Sequence, residues 1–404
     1  MTEKKKILYV ANVQYEKIVN ERGIKRNYSI AGNTKLLAIG NALLSSGHKI
    51  VIYSPGSVAE KSGKFFFSNQ ESVCVSSGTI EIFYGITVDN RYLRSLIEWI
   101  SMLIWLPRLL KRYDINTIFI YNISMVTVSI AIISKILKKQ IFIEYEDSAV
   151  VSRSSSPPWW KKIYRLHEIV LSKMVSGAFA PSLDLLKRLG VANCLHLPGA
   201  LNEDLIMQSM QHKRAILVCD RPLRLIYAGG LDASKGIDLF LEAIEYIKTP
   251  LEIHICGRGP LEKKIVKLSL KSRHRVVFHG LVEREELISL MVQVDVGVNP
   301  HRSDLHEGGT WPFKVMEYLA ACGTVFCNNS ARMPTEFNKM LFLYHADKPV
   351  EITKAFEEFL TAWPELCKTS SLRRKWAISE FGLQGLATKL NSLLDGNCRE
   401  NGLN

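Results

Sequence analysis

The sequence predicts an α/β protein made of two successive units, each a set of parallel strands covered by helices. Three observations predict it. Short apolar runs alternate with longer amphipathic stretches, the pattern of repeated β-α-β units. That alternation pauses once, over 197–221, and then restarts. And 404 residues, at roughly 150 per domain, make two or three domains rather than one.

In the first half, Ile7–Ala11, Ile50–Tyr53, Ile118–Tyr121 and Ile141–Tyr145 read as buried strands. Asn33–Ser46, Tyr92–Tyr113, Met125–Leu137 and Trp159–Val175 read as helices. Pro198-Gly199 opens the pause, and a polar stretch follows. In the second half, Leu223–Ala228, Leu251–Cys256, Val276–His279, Val294–Val298 and Val325–Asn328 are strand-like. Asp238–Ile247, Leu261–Leu270, Arg284–Val292, Lys314–Ala321 and Val350–Ala362 are helix-like, and Trp376–Leu394 forms a last amphipathic stretch. Two Rossmann-like halves of this kind place their strand carboxyl ends at a shared cleft, where ligands bind.

Composition excludes several classes. With 47% hydrophobic, 23% charged and 9% aromatic residues, the chain is not disordered, collagen-like or a coiled coil. Its eight cysteines lie singly, with no Cys-x-x-Cys, so reduced thiols and a cytoplasmic setting are expected. Only four apolar residues, Ile7–Val10, follow the lysines at the start, which reads as a strand rather than a signal peptide. Ile115–Leu137 is interrupted by Asn116, Asn122 and Lys135, and Leu96–Leu110 is too short, so neither is expected to span a membrane. The net charge of +13 favours an anionic partner without choosing among nucleic acid, a phosphorylated substrate and an acidic membrane face.

Three segments carry candidate chemistry. Tyr227-Ala-Gly-Gly-Leu-Asp-Ala-Ser-Lys235-Gly236 leads a strand through a Gly-rich turn and a lysine into a helix. Such a turn suits phosphate, and a tight turn with a solvated lysine is the alternative. Ile253-His-Ile-Cys-Gly257-Arg258-Gly259-Pro260 ends a strand in glycines that would let a ligand approach the backbone. Arg258 there binds phosphate or is merely solvated. In Gly308-Gly309-Thr-Trp-Pro312-Phe-Lys314-Val-Met-Glu317-Tyr318, Lys314 and Glu317 share a helix start. The carboxylate could accept two vicinal hydroxyls, or the two residues could form a weak surface pair.

Together these motifs resemble a family. Lys235-Gly236, Gly257-x-Gly259-Pro260, Phe278-His-Gly280-Leu281 with Leu287, Asp295-Val-Gly-Val-Asn-Pro300, and Pro312-x-Lys314-x-x-Glu317-Tyr318-x-Ala-x-x-Gly323 occur in order. This looks like the donor-binding half of a GT-B glycosyltransferase similar to the retaining family 4 (glycosyltransferase group 1) enzymes. The likeness is dense over 222–335 and looser before it, where Gly47-His48-Lys-Ile-Val-Ile-Tyr53 is similar to the family's first β-α unit.

The resemblance implies a GT-B fold, two Rossmann-like domains facing a central cleft, with a C-terminal helix crossing back. The expected divisions are 1–200 for acceptor binding, 218–375 for the nucleotide-sugar donor, and 376–396 for the returning helix. It implies that Lys235 holds the donor diphosphate and Glu317 the ribose hydroxyls, with Gly257, Arg258, Leu281 and Val282 bordering the base. Gly32, expected before the first long helix, would contact the sugar-phosphate. No metal or cofactor is expected beyond the nucleotide sugar, UDP- or GDP-linked, as substrate. A metal-free site must stabilise the leaving diphosphate with cations and helix starts.

The sequence departs from the family in three places. Gly230 stands where an arginine is common, so Lys314 or Arg258 would supply the missing cation. Gly309 stands where a second glutamate is common, leaving Glu307 as a candidate for the donor sugar. The strand before the second half of the first unit ends Glu144-Tyr-Glu146-Asp147 rather than in a His-Asp pair. Glu146 or Asp147 then becomes the candidate catalytic carboxylate, with an acidic capping loop as the alternative.

Two basic aromatic stretches, Arg91–Arg112 and Pro157-Pro-Trp159-Trp160-Lys161-Lys162, suit either a core or a lipid headgroup boundary. The first is expected to be core. The leading reading is a transferase acting on a glycan or lipid-linked acceptor in bacterial surface polysaccharide assembly, with an anionic membrane surface as a candidate partner and a peripheral site at the inner face of the membrane. A non-catalytic sugar-nucleotide-binding or carbohydrate-binding subunit is the alternative. No nucleic-acid motif is present, and no Gly-x-Gly-x-x-Gly follows the first strand.

Overall fold

Lys6–Val10 (β1) forms the first strand because its side chains after Lys6 are apolar and buried on both faces of a sheet. In this computed structural model, residues 4–23, 30–57, 63–90, 92–147, 158–212, 221–303, 312–329 and 335–398 are described. The chain divides into two compact units: Met1–Ala200 with Leu383–Asn404, and Leu201–Gly382.

The first unit adds the strands Lys49–Ser54 (β2), Phe65–Phe66 (β3), Asn69–Val75 (β4), Gly78–Tyr84 (β5), Thr87–Val88 (β6), Thr117–Tyr121 (β7), Gln140–Glu144 (β8), Gly177–Ala180 (β9) and Cys194–His196 (β10). Its helices are Glu16–Arg22 (α1), Ile30–Ser45 (α2), Arg94–Arg112 (α3), Met125–Ile136 (α4), Pro158–Ser172 (α5) and Leu183–Leu189 (α6). The main sheet has the order β10-β9-β8-β7-β1-β2-β5-β4. Its strands are parallel except β4, which pairs antiparallel with β5. The chain therefore reverses its direction of sheet growth between β1 and β7, and ligands bind at the carboxyl ends of such strands. One face packs on α2, the other on α3, α4, α5 and α6. Ser124 and Thr127 cap the start of α4 reciprocally.

The second unit contains Glu203–Gln211 (α7), Leu223–Ala228 (β11), Ile237–Ile244 (α8), Leu251–Cys256 (β12), Glu262–Lys271 (α9), Arg275–Gly280 (β13), Arg284–Gln293 (α10), Val296–Asn299 (β14), Lys314–Ala321 (α11), Val325–Asn328 (β15), Thr335–Asn338 (α12), Phe342–Tyr344 (β16), Pro349–Lys368 (α13) and Ser370–Phe381 (α14). The sheet order is β13-β12-β11-β14-β15-β16, all parallel. Counted from the start of the unit this is 3-2-1-4-5-6, the dinucleotide-fold order, with its switch between β11 and β14. Leu225 and Tyr227 face a core shared with α8 and α13, while Ile226 and Ala228 face one shared with α10 and α11.

The structure differs from the sequence reading at several elements. Trp376–Leu394 is two helices, not one. Gly382 breaks it with an extended backbone, and only glycine fits there because a Cβ would fall on the Ile378 carbonyl. Trp376 stays with the second unit, edge-on to Phe337 and Phe381. Leu383–Leu394 (α15) lies against α2 in the first unit's core. Within the pause, α7 forms, capped by the Asn202 side chain. And the described part of α2 spans Ile30–Ser45, so Gly32 lies within the helix rather than before it. Among the described residues no helix is long and apolar enough to cross a membrane.

Candidate active site

In the second unit, β11 runs into Gly229-Gly230. The Tyr227 hydroxyl donates to the Gly230 carbonyl at 2.6 Å, folding the turn back on its own strand. The Asp232 carboxylate accepts from the Ser234 amide at 3.0 Å, which shapes one 3₁₀ turn over Ala233–Lys235. Gly236 then takes a left-handed φ of 64°, and a Cβ there would strike the Pro300 carbonyl. The Arg302 amide donates to Ser234 at 3.0 Å. The loops after β11 and β14 are thus pinned together at the switch of the sheet, and Lys235 lies at that seam. Among the described residues Lys235 has no ion-pair partner. Lys235 is half-exposed and directly precedes Gly236, the residue that opens α8.

The two glycines after β12 have another reason than a ligand. A Cβ on Gly257, at φ 149°, would fall on the Gly229 carbonyl, and one on Gly259 on the Leu231 carbonyl. Leu231 and Leu261 amides lace the same loops together. These glycines let backbone approach backbone, which holds the loops after β11 and β12 together. Arg258 is exposed between them. Leu281 is 65% exposed, whereas Val282 packs against the core.

Glu317 opens α11. Its neighbour Tyr318 is fully buried, lies on Gly297 of β14, and accepts the Ala228 amide at 2.7 Å. That bond ties the start of α11 to the end of β11, one residue before the Gly-rich turn. Glu317 receives Arg284 Nη2 at 2.7 Å and Lys314 Nζ on its other oxygen. Burial alone would raise its pKa, but Lys314 and Arg284 outweigh that and draw it down to about 2. The pair expected from the sequence is therefore a mostly buried triad, and Arg284 is the member sequence spacing did not reveal. Glu307 and Gly309 lie outside the described residues.

In the first unit, β8 leads into Glu144-Tyr145-Glu146-Asp147. Asn122, at φ 56° after β7, accepts the Glu146 and Asp147 amides on its side-chain oxygen at 2.7 and 3.0 Å. This turn sends the two acids to different places. Glu146 is buried and meets the ammonium of Lys35 from α2. Lys35 also lies 2.8 Å from Glu144, whose other oxygen accepts the Tyr9 hydroxyl. Asp147 is exposed. Burial pushes Glu144 up to about 8 and Lys35 down to about 7. Burial also raises Asp147, against the Asn122 hydrogen bond and the Lys35 charge. With one cation and two acids, the cluster is neutral when Glu144 keeps its proton. A crevice of about 210 Å³ at the ends of β1, β2 and β7 is lined by Asn12, Tyr53, Tyr121 and Thr127.

A larger cavity, about 730 Å³, opens at the amino ends of β11 and β14. Its Arg221 is already held by Asp295 through two 2.7 Å bonds. It lies at the wrong end of the strands for a switch-point ligand.

These features can be set beside known proteins. Residues 222–362 match the family model described as glycosyl transferases group 1. The match begins at β11 and covers the Lys235 turn, the Gly257–Pro260 turn and the Glu317 triad. Three solved structures are similar over almost the whole chain. Anabaena Alr3699/HepE in complex with UDP has a TM-score of 0.62 at 13% identity, covering 96% of this chain and 99% of that one. The E. coli trehalose-6-phosphate structure bound with UDP-2-fluoro glucose has a TM-score of 0.64 at 10% identity, covering 98% and 100%. The lipopolysaccharide outer core galactosyltransferase WaaB, apo form, has a TM-score of 0.60 at 12% identity, covering 97% and 100%. The chain has the GT-B fold, and its second unit resembles the group 1 glycosyltransferases. Comparison of the sequence with curated proteins finds no match.

Proposed function

We propose that the protein transfers a sugar from a nucleotide-sugar donor to a hydroxyl of a glycan or lipid-linked glycan, with retention of configuration, in surface polysaccharide assembly. The observation that carries the reading is Lys235, a cation without an acidic partner among the described residues, at the switch of a 3-2-1-4-5-6 sheet. A leaving diphosphate gains one unit of negative charge as the bond from sugar C1 to phosphate oxygen breaks and the electron pair stays on oxygen. Lys235, the amides opening α8 and the exposed Arg258 can stabilise that charge without a metal. Proteins of the same fold bind UDP and UDP-glucose, which makes a UDP-sugar the first donor to test ahead of a GDP-sugar.

In this reading the Glu317 triad meets the ribose hydroxyls with a carboxylate held ionised by Arg284 and Lys314. On the acceptor side, Asp147 is the better placed of the two candidate acids. It is exposed, while Glu146 is buried against Lys35. As the new bond to C1 forms, the acceptor hydroxyl's proton passes to Asp147 or to the departing phosphate.

One observation favours a second reading. Both oxygens of Glu317 are already taken by cations, as a structural triad in a non-catalytic sugar-nucleotide-binding subunit would have them. Incubation with UDP-glucose, GDP-mannose and related donors without acceptor separates the two. Release of nucleoside diphosphate, lost in Lys235→Ala, supports the transferase. Binding of a donor that stays intact with every acceptor supports the subunit.

A further inference from the structure

On the first unit, α3, α4 and α5 lie as one layer over a face of the eight-stranded sheet, with α4 packed against both neighbours. A helix in that position needs one apolar stripe, turned to the sheet. These helices carry two. α3 buries Met102, Leu106 and Leu109 yet exposes Leu96, Ile100 and Ile104, spaced by four on its other side. α4 buries Ile130 and Ala131 while Ile132 and Ile136 stand out, the latter 73% exposed. α5 turns Glu168 and Leu171 inward and Trp159, Ile163 and Leu166 outward. Trp160 sits edge-on to Trp159 at 5.7 Å.

Charge on the same layer is one-sided. Its two acids are turned away from the outer face. Glu98 accepts the Ser57 and Thr87 hydroxyls at 2.8 and 2.6 Å. Glu168 is buried and held by Tyr145, Arg165 and Arg188. Arg108, Lys111, Lys135 and Lys162 are exposed, with Lys161 half-exposed beside the tryptophans. The outer face thus offers apolar and cationic side chains, and these three helices supply no outward acid to balance them.

We propose that this face docks on an anionic phospholipid bilayer, with Trp159, Trp160 and the neighbouring aliphatic side chains at the headgroup boundary and the lysines on lipid phosphates. Tryptophan beside lysine on a helix that does not span is the composition of an interfacial anchor. A second copy of the chain would bring like charges together. A nucleic acid would engage the cations but leave Leu96, Ile100 and Ile136 with no apolar partner. An anionic bilayer meets both demands. Docking would bring an acceptor on a lipid carrier to the surface where the protein sits. It deepens the lipid-linked acceptor reading without depending on it.

The test uses the full chain, with no sugar donor present, sedimented with vesicles of phosphatidylcholine alone or mixed with phosphatidylglycerol. The protein should bind the mixed vesicles, lose binding as salt rises, and bind phosphatidylcholine far less. Trp159→Ser with Ile163→Ser should lower the bound fraction at least about tenfold, and each of Lys161→Glu and Lys162→Glu about fivefold or more. Melting should stay at the wild-type value because these side chains are exposed. Bromine-labelled lipid should quench tryptophan fluorescence of the wild-type protein, which needs no variant. Vesicle binding that ignores lipid charge, variants that bind as wild type, absent quenching, or a dimer that dissociates in the Trp159→Ser, Ile163→Ser variant would each overturn the proposal. An inactive protein that still binds vesicles would sink the transferase reading alone, and an active one that does not bind would sink this one alone.

Discussion

Each unit buries a glutamate near the switch of its sheet, and the two are held in opposite states. Glu317 has two cations to itself, Arg284 and Lys314, and is held ionised down to about pH 2. Glu144 shares one cation, Lys35, with a second acid, Glu146, and burial raises it to about 8. Burial opposes ionisation in both. What decides the outcome is the number of cations per acid. A permanently ionised acceptor is what the Glu317 arrangement supplies and the Glu144 arrangement does not.

The largest effect is expected at Lys35. Lys35→Met would leave Glu146 buried without its cation, and we expect a loss of about 3–5 kcal/mol, seen in calorimetric melting. A melt like that of the wild type would mean that the cluster is not charge-balanced as described. Next comes Glu317→Gln. The two cations are partly exposed and can reach water, so the expected loss is smaller, about 1–3 kcal/mol in stability, and nucleotide affinity should fall by a similar amount. Affinity that survives this change would make the triad purely structural.

The pH dependence sharpens the same contrast. Glu317, lowered in the fold, contributes stability that is complete above about 4.5 and lost as the pH falls toward 2. Glu144, raised in the fold, contributes stability that is complete below about 4.5 and lost as the pH rises through 8. Lys35, lowered in the fold, costs stability below about 7, and that cost is relieved as the pH rises from 7 toward 10.5. Between pH 5 and 7 the wild type should therefore lose stability relative to Glu144→Gln as the pH rises, a difference from which the lowered histidines cancel. This is the smallest effect, since the amide replaces a carboxyl already carrying its proton, and at pH 5 the variant should match the wild type within about 1 kcal/mol. A wild-type-to-variant difference that does not change with pH would mean that Glu144 is not the titrating group.

Much of this was legible in the sequence where a local rule sufficed. β11, β12 and β14 are short apolar runs ended by glycine or proline, and α8 and α11 follow them with apolar stripes, so the second unit could be read nearly element by element. The hairpin of β4 and β5 could not, because Asn69-Gln-Glu-Ser has no apolar alternation. Nor could β9, whose Gly-Ala-Phe-Ala lacks branched residues. The site shows the same limit. Lys235-Gly236 and Lys314 with Glu317 are neighbours in sequence. Arg284 reaches Glu317 from 33 residues away, and Lys35 meets Glu144 from another element. Only the folded sheet brings those partners together. At Gly257 and Gly259 the loop after β11 closes on the turn, a packing contact that the local sequence does not show.

The central claim is that Lys235 grips the donor diphosphate at the switch of the second sheet. Calorimetric titration of UDP into the wild-type protein and into Lys235→Ala tests it most directly. Binding should weaken by about 1–3 kcal/mol in the variant, with melting unchanged, because the lost contact is a charge-assisted one to phosphate. Equal affinity in the two proteins would contradict it.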